Sequence, residues 1–186
     1  MKRGLDLLIA LIAGIFAAIP CALIAIAVRI EDRGPAIYWS RRIGRNGQTF
    51  LMPKFRSMKI STPELATDRL EAPERWVTSV GRVLRRTSLD ELPQLWSVIR
   101  GDMSIVGPRP ALHNQHELIE TRRLRGIDVL RPGITGWAQI NGRDGIPEAR
   151  KIELDAEYLA SQSLELDLRI LVLTVVRVLR SDGVSH

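Results

Sequence analysis

The sequence predicts an α+β protein that is mostly helical, in which an apolar N-terminal helix precedes one small folded domain. Three observations support this fold class. Residues 7–28 carry no charge, residues 37–58 have the composition of a β-hairpin, and most later segments show apolar residues at helical spacing. Because the chain has 186 residues and a domain takes roughly 150, we divide it into an anchor, residues 1–33, and a domain, residues 34–186.

The N-terminal apolar segment can meet a bilayer in two ways. A straight helix over residues 7–28 would be ~33 Å long, which is enough for a hydrocarbon core of ~30 Å. Pro20 divides this run into arms of ~20 Å and ~12 Å, and neither arm can span alone. Cations flank both ends, at Lys2 and at Arg29, so charge gives no direction across the membrane. A re-entrant helix broken at Pro20 and a kinked full span both fit these residues.

Composition and charge exclude several classes of protein. The single cysteine, Cys21, excludes a disulfide framework and a cysteine zinc site. The chain has a net charge of +6, and residues 34–60 contain cations but no acid. Such a block after an apolar segment is typical of a patch that contacts anionic headgroups. No nucleic-acid module is recognisable, so we expect no nucleic-acid partner. The cations of the block are Arg41, Arg42, Arg45, Lys54, Arg56 and Lys59.

The domain is expected to consist of one hairpin followed by short helices and loops. The hairpin occupies residues 37–58 and turns at Asn46-Gly47, a strong turn signal. Segments rich in glycine, proline or acids predict loops. The predicted loops are 61–75, 101–110 and 131–145. Two short helices are predicted as amphipathic, over 77–86 and 91–99, and two more as polar or charged, over 112–125 and 147–160.

A last helix is predicted over residues 164–180. Its apolar residues recur at three- and four-residue spacing, while Arg169, Arg177 and Arg180 follow another line along the helix. One interpretation is a helix of the domain core. The other is an amphipathic helix that lies on the membrane with its arginines among headgroups. Both interpretations stay open on the sequence alone.

Two adjacent carboxylates, Asp90 and Glu91, are the strongest candidates for chemistry. Ser88 and Glu91 have capping-box spacing, and Asp90 is an alternative cap, so both carboxylates are expected at a helix N-terminus. That end of a helix attracts phosphate, and Arg85 is close in sequence. Adjacent helical residues diverge by ~100°, so Asp90 and Glu91 are expected to have separate roles.

Two further segments have the composition of anion or nucleotide cradles. Arg109 stands between Pro108 and Pro110, which restrict the backbone on both sides. Residues 132–143 combine three glycines with a tryptophan and amide side chains, which suits a nucleotide. Each segment alone is a weak signal because loops rich in glycine and proline are mostly turns.

Together these segments resemble the bacterial sugar transferase family, small monotopic phosphoglycosyl transferases that begin glycan assembly on a polyprenyl carrier. The resemblance covers nearly the whole chain and keeps the family's order of motifs. The matching stretches are 53–58 (PKFRSM), 87–95 (TSLDELPQL), 101–110 (GDMSIVGPRP), 131–143 (RPGITGWAQINGR) and the acidic 153–155 (ELD) before Tyr158.

The resemblance implies a Mg²⁺-dependent enzyme that transfers a sugar 1-phosphate from a UDP-sugar to polyprenyl (undecaprenyl) phosphate and releases UMP. It implies a covalent phospho-sugar intermediate on Asp90, with Glu91 as its partner and Mg²⁺ at Asp90. The intermediate splits the transfer into two displacements at phosphorus. We expect the substrate phosphates and nucleotide to contact basic residues, and Asp155 to support the metal or its arginines. Those basic residues are Arg109, Arg85, Arg56, Lys54 and, for the nucleotide, Arg143.

The resemblance also implies a location and partners. Members have a re-entrant N-terminal helix that breaks at a Ser-Pro pair, and the matching pair here is Ile19-Pro20. The domain would then lie on the cytosolic face of the bacterial inner membrane, where the first membrane step of O-antigen, capsule, exopolysaccharide or glycoprotein assembly takes place. The expected partners are a UDP-sugar, polyprenyl phosphate and membrane phospholipid, with a homodimer as an open alternative.

Overall fold

The computed structural model describes residues 2–63, 72–142 and 145–180 and confirms an α+β, mostly helical chain with an antiparallel hairpin. Residues 64–71 of the predicted 61–75 loop lie outside this description. The helices are α1 (Lys2–Asp32), α2 (Ser79–Thr87), α3 (Gln94–Arg100), α4 (His116–Leu124), α5 (Trp137–Ile140), α6 (Glu148–Ser161) and α7 (Leu164–Arg180). The strands are β1 (Ile37–Ile43), β2 (Thr49–Phe55), β3 (Ser104–Val106) and β4 (Gly133–Thr135).

Helix α1 has the length and composition of a helix that could cross a membrane. It is helical on both sides of Pro20, and the re-entrant path through Pro20 stays a prediction. Only 6% of its most apolar window is buried, so the helix presents a continuous apolar stripe to its surroundings. The stripe consists of Leu8, Leu11, Ile12, Ile15, Phe16, Ile19, Leu23, Ile26 and Ile30.

The N-terminal end of α1 is held by buried polar contacts. Asp6 accepts hydrogen bonds from Ser104 Oγ at 2.9 Å and from the backbone N–H of Ile105 at 3.0 Å. Lys2 Nζ lies 2.6 Å from Asp167 Oδ2 on α7. The carboxylate of Asp6 in an apolar helix is therefore explained by the buried Ser104 hydroxyl and Ile105 N–H, whose hydrogen bonds it accepts.

The C-terminal end of α1 contacts the same domain. The Glu31 carboxylate accepts hydrogen bonds from the backbone N–H groups of Ser79 at 2.6 Å and Val80 at 3.0 Å, so it caps the N-terminus of α2. Asp32 accepts the N–H of Ile60 at 3.0 Å. Both ends of the anchor are thus attached to one domain.

The hairpin forms where its sequence predicts. β1 and β2 pair antiparallel, with Ile37 opposite Phe55 and Ile43 opposite Thr49. Asn46 and Gly47 both have positive φ, 55° and 73°, which asparagine and glycine tolerate best. Lys54 stands next to the last residue of β2 and pairs with Tyr38 of β1.

A second, parallel pair of strands was not predicted. Residues 101–110 and 131–145 were expected to be irregular, but β3 and β4 pair there, and α5 follows β4. The two backbones approach so closely that a Cβ on Gly133 would overlap the backbone nitrogen of Gly107. These glycines therefore allow contact between loops that are distant in the chain. Strands of three residues are too short to show an alternating pattern in the sequence.

Helix α7 is a core helix, which is one of the two interpretations that its sequence left open. Ile170 is fully buried and belongs to the main core with Ala10, Val98 and Tyr158. Other sides of the helix expose apolar side chains, and the interpretation that α7 lies on the membrane stays a prediction. The exposed side chains are Leu164, Leu168, Val172, Leu173, Val175 and Val176.

Replacing Asp6 with alanine is expected to weaken the attachment of α1. The change leaves the Ile105 N–H and the Ser104 hydroxyl without an acceptor, which costs about 2 kcal/mol of unfolding free energy and about 6 °C of melting temperature. Thermal unfolding in detergent measures it. Leu8→Ala, which shortens an exposed side chain of the same helix, is the matched control, and equal melting temperatures for both variants would contradict the role of Asp6.

Candidate active site

The two carboxylates lie in a short turn between α2 and α3. Ser88 has positive φ (57°) and ends α2, and residues Leu89–Glu91 form one 3-10 turn. The predicted capping box was wrong, because the Ser88 side chain makes no cap hydrogen bond and α3 begins only at Gln94. The left-handed residue reverses the chain instead, and the turn directs Asp90 and Glu91 towards the hairpin.

The hairpin supplies the cation between the carboxylates. Lys54 Nζ lies 2.8 Å from Glu91 Oε1 and 4.0 Å from Asp90 Oδ2. All three side chains are at least 85% buried. Lys54 therefore binds Glu91 tightly and Asp90 loosely, so the two neighbouring carboxylates differ in their environment.

The loop after β3 supplies Arg109. Its Nη2 donates a hydrogen bond to Glu91 Oε1 at 3.2 Å. The backbone carbonyl of Arg109 accepts a hydrogen bond from Arg122 Nη1 at 2.8 Å, and Arg122 Nη2 lies 2.6 Å from Asp155 Oδ2. Asp155 is thus linked to the site through Arg122 and the backbone of Arg109, and it does not touch Asp90.

Two more arginines border the cluster. Arg85 donates from Nε to Ser57 Oγ at 3.0 Å. Burial raises the pKa of Asp90, and the charge of Arg85 is one of those that oppose this rise. Arg42 donates to the carbonyl of Pro110 at 3.1 Å. Burial, followed by the charge of Arg109, lowers the pKa of Arg42 to about 10. The cluster therefore has more cations than carboxylates, which favours an anionic ligand.

The adjacent carboxylates have opposite pKa shifts. Burial is the largest influence on Asp90 and raises its pKa, although the Lys54 charge opposes the shift. Burial also acts on Glu91, but the charges of Lys54 and Arg109 outweigh it and hold the pKa of Glu91 far below its usual range. Glu91 is consequently a fixed counter-ion, whereas Asp90 is a less stabilised carboxylate.

Three predicted residues lie apart from this cluster or outside the description. Arg56 is buried beneath Gly34, with its Nε 3.7 Å from Asp32 Oδ2 at the end of α1. Pro20 is within α1. Arg143 lies outside the described residues. The structure therefore joins Lys54, Arg85, Asp90, Glu91 and Arg109, and it connects Asp155 to them indirectly.

Two residues of the cluster were missed as site residues. Arg42 belongs to the predicted basic block, but no motif singled it out. Arg122 lies on α4, where a sequence reading gives only a solvated helix. Its ion pair with Asp155 joins residues 33 apart in the chain, so only the fold could reveal it. Alternation along β1 was the one available signal for Arg42, since it places Arg42 on the face of the buried Ser40.

The carboxylates suit a magnesium ion that also binds substrate phosphates. Within the described ranges, no group of three or more histidine, cysteine, aspartate or glutamate side chains could hold a metal alone. Mg²⁺ is typically bound by one or two carboxylates, with the remaining positions taken by phosphate oxygens and water. Asp90, with Lys54 4.0 Å away, is the better ligand because Glu91 is already neutralised by two cations.

Comparisons with known proteins identify relatives of this chain. An uncharacterized sugar transferase of Bacillus subtilis, EpsL, is 40% identical over 189 residues, which is all of this chain and 91% of that protein. The UDP-glucose:undecaprenyl-phosphate glucose-1-phosphate transferases of Xanthomonas campestris and Escherichia coli are 44% and 41% identical over 84% and 95% of this chain. The chain spans only 34% and 40% of the length of these two relatives.

A family profile described as bacterial sugar transferase matches residues 1–181. This range contains α1, the hairpin, the two carboxylates and the Arg109 loop. The resemblance found in the sequence motifs is therefore confirmed, and the chain belongs to the bacterial sugar transferase family.

Proposed function

We propose that the protein is a membrane-associated, Mg²⁺-dependent phosphoglycosyl transferase that moves a sugar 1-phosphate from a UDP-sugar to polyprenyl phosphate. The observation that carries the proposal is the asymmetry of the carboxylate pair. Glu91 is paired with Lys54 and Arg109 at 2.8 and 3.2 Å, and Asp90 stands 4.0 Å from the same lysine. The names of the Xanthomonas and Escherichia relatives support the same reaction class.

In the first step, an Asp90 carboxylate oxygen attacks the phosphorus that bears the sugar. The bond from that phosphorus to the bridging oxygen breaks, the bridging oxygen keeps the electron pair, and UMP leaves. A new acyl-phosphate bond joins Asp90 to the phosphate, which keeps its ester bond to the sugar. The raised pKa of Asp90 fits this role because a carboxylate that is poorly stabilised as an anion is the stronger nucleophile.

In the second step, an oxygen of polyprenyl phosphate attacks the same phosphorus. The bond to the Asp90 oxygen breaks, its electron pair returns to the carboxylate, and polyprenyl-diphosphate-sugar forms. The acceptor oxygen is already ionised, so no general base is required. Two sequential displacements avoid a single complex of both phosphate substrates at the transition state.

The cations bind and orient the phosphates. Lys54, Arg109 and Arg85 surround the carboxylates and would neutralise the diphosphate before a carboxylate approaches it. Glu91 holds Lys54 and Arg109 in place and is a positioning residue in this scheme. Asp90 would hold Mg²⁺, which when bound supplies charge neutralisation at the phosphate oxygens.

The attachment of α1 supports a monotopic placement at the membrane. Asp6 and Glu31, near the two ends of α1, both bond to the same domain, whereas a spanning helix places its ends on opposite sides of the bilayer. Polar groups at both ends and the apolar stripe between them suit a helix that enters and leaves on one face. We place that face on the cytosolic side of the inner membrane, where UDP-sugars are made.

The test is a reaction without acceptor. The purified protein is incubated with Mg²⁺ and a panel of UDP-sugars, and its intact mass is measured with UMP release. We expect a gain of one sugar phosphate with one donor, and no gain in Asp90→Asn. UMP release that requires polyprenyl phosphate, without any adduct, would indicate direct transfer and demote Asp90 to a metal ligand. No UMP from any donor with or without acceptor would overturn the function.

Replacing Lys54 with methionine is expected to move the acid limb of the pH–rate profile to higher pH. Asp90 must be ionised to attack, and its pKa is raised by burial but lowered by the Lys54 charge. Removing that charge raises the pKa further, so activity is lost earlier as the pH falls. Lys59→Met, which removes an exposed lysine nearby, should keep the wild-type limb. If the acid limb of the pH–rate profile were unchanged in Lys54→Met, that limb would not report the ionisation of Asp90, and the prediction would be wrong.

A further inference from the structure

A pocket lies between the carboxylate turn and α7. Its volume is about 180 Å³, enough for about one five-carbon unit at roughly 30 Å³ per heavy atom. One wall comes from the turn and α3, a second from β4 and α5, and the third from α7. The lining residues are Ser88, Glu91, Leu92, Leu95, Ile134, Thr135, Gln139, Ile140, Thr174 and Arg177.

The pocket has apolar walls and a charged edge. Leu92, Leu95, Ile134 and Ile140 supply the apolar surface, and Glu91 connects the pocket to the carboxylate cluster. Arg177 is half-buried at its edge. Across the described part of the chain, no ion pair or side-chain hydrogen bond of Arg177 is formed. Ser88, Thr135, Gln139 and Thr174 add a few polar groups. A mostly apolar cavity with a cation at its edge suits an amphiphile that carries a phosphate.

The pocket adjoins the apolar surface of the molecule. Thr174 and Arg177 line it from α7, and the neighbouring Val172, Val175 and Val176 of the same helix are exposed. The pocket therefore lies against a helix whose other side is exposed and apolar, as expected for a site that receives a ligand from the membrane surface. Residues 132–143, whose composition suits a nucleotide, contribute Ile134, Thr135, Gln139 and Ile140 to this pocket. The nucleoside of the donor is therefore the rival occupant, and the donor KM distinguishes it from the lipid.

We propose that this pocket binds the isoprenoid unit next to the phosphate of the acceptor lipid, with Arg177 bound to that phosphate. The inference rests on the proposed function, since it names where the second substrate of that reaction binds. Because Glu91 also lines the pocket, a phosphate bound to Arg177 there lies beside the carboxylate cluster, where the second displacement takes place. Arg177 is thus a binding residue for the acceptor and not for the UDP-sugar.

Binding can be measured without turnover, using farnesyl phosphate as the probe. Farnesyl phosphate should raise the melting temperature of the wild-type protein in detergent. Thr174→Phe fills the pocket and should remove this increase. Arg177→Gln should weaken farnesyl phosphate binding about tenfold and leave binding of farnesol, which has no phosphate, unchanged. Inorganic phosphate alone should give no increase, because the apolar pocket contributes most of the binding.

Two matched control variants distinguish an effect on the pocket from a general effect on α7. Val175→Phe adds the same bulk to the exposed side of α7, and Arg169→Gln removes an exposed arginine of α7. Both should bind farnesyl phosphate like the wild type. In steady-state assays with the active donor, Thr174→Phe and Arg177→Gln should raise the acceptor KM about tenfold and leave the donor KM unchanged.

The outcomes show separately whether the pocket assignment or the proposed reaction is wrong. Wild-type binding of farnesyl phosphate by Thr174→Phe and Arg177→Gln would overturn the pocket assignment while transfer by the wild type still supports the function. A raised donor KM with an unchanged acceptor KM would assign the pocket to the nucleoside and also overturn the proposal. Binding that depends on Arg177, combined with no transfer from any donor, would support the pocket and overturn the proposed function.

Discussion

Asp90→Asn is expected to abolish transfer and to stabilise the fold. The amide cannot form the aspartyl phosphate, so kcat should fall by about four orders of magnitude. The stability effect follows from the pKa of Asp90, which is raised by burial. A raised pKa means that the folded state binds its proton more tightly than the unfolded state, so stability is lost as the pH rises through the folded pKa. At neutral pH the charged Asp90 therefore destabilises the fold, and asparagine removes that cost.

The pH dependence of this effect supplies its internal control. The gain in melting temperature of Asp90→Asn should be largest at neutral pH and should vanish in acid, where Asp90 of the wild type is protonated. Scanning calorimetry in detergent from pH 4 to pH 7.5 would measure it. A lower melting temperature for Asp90→Asn at every pH would show that the carboxylate is stabilising and would contradict its assignment as the less stabilised member of the pair.

Glu91→Gln is expected to have the opposite effect on stability. The pKa of Glu91 is held below its usual range, so this carboxylate contributes stability that is complete above the ordinary range near 4.5 and is lost as the pH falls below it. The neutral amide leaves the buried Lys54 without its counter-ion, which costs about 3 kcal/mol of unfolding free energy. We also expect kcat to fall about a hundredfold, because Lys54 and Arg109 lose their position.

An exposed ion pair gives the matched control for Glu91. Glu120 accepts two hydrogen bonds from Arg123, at 2.7 and 3.0 Å, but both side chains are more than half exposed. Solvent screens such a pair, so Glu120→Gln should leave the melting temperature unchanged. If Glu91→Gln also left it unchanged, the ion pairs of Glu91 would not be holding the site together.

These opposite expectations come from one turn of the chain. Glu91 lies 2.8 and 3.2 Å from Lys54 and Arg109. Asp90 lies 4.0 Å from Lys54, and the charges of Arg109 and Arg85 affect it less than its burial does. Enzymes commonly retain a destabilising group where its reactivity is needed. Glu91 thus stabilises the fold and positions the cations, whereas the reactive Asp90 lowers the free energy of unfolding at neutral pH.

Local patterns predicted the elements that depend on neighbouring residues. The Asn46-Gly47 turn fixed the hairpin, because those two residues accept positive φ. Amphipathic spacing predicted α2, α3 and α7 to within a few residues. The polar segment 112–125 and the charged segment 147–160 were also predicted as helices, and α4 and α6 form there. The capping box failed because Ser88 adopts the left-handed conformation that ends α2, and spacing alone cannot distinguish a cap from the residue that terminates the preceding helix.

Elements that depend on distant residues were not predictable in this way. β3 and β4 are too short for a period, and they pair only because Gly107 and Gly133 allow their backbones to touch. The link from Asp155 through Arg122 to the Arg109 loop crosses three elements. Arg56 shares a motif with Lys54, but at the end of the strand it turns towards Asp32 and leaves the cluster.

The amino-acid sequence is enough to identify the apolar anchor, the hairpin, the family and the pair Asp90-Glu91, because each depends on residues adjacent in the chain or on motifs that stand in order. The different ion pairing of Asp90 and Glu91, however, is visible only in the folded structure. Lys54 and Arg109 come from a strand and a loop far from the turn, and their distances of 2.8 and 3.2 Å to Glu91 set the opposite pKa shifts. Charge interactions depend on separation in space, and the order of residues along the chain does not contain that separation.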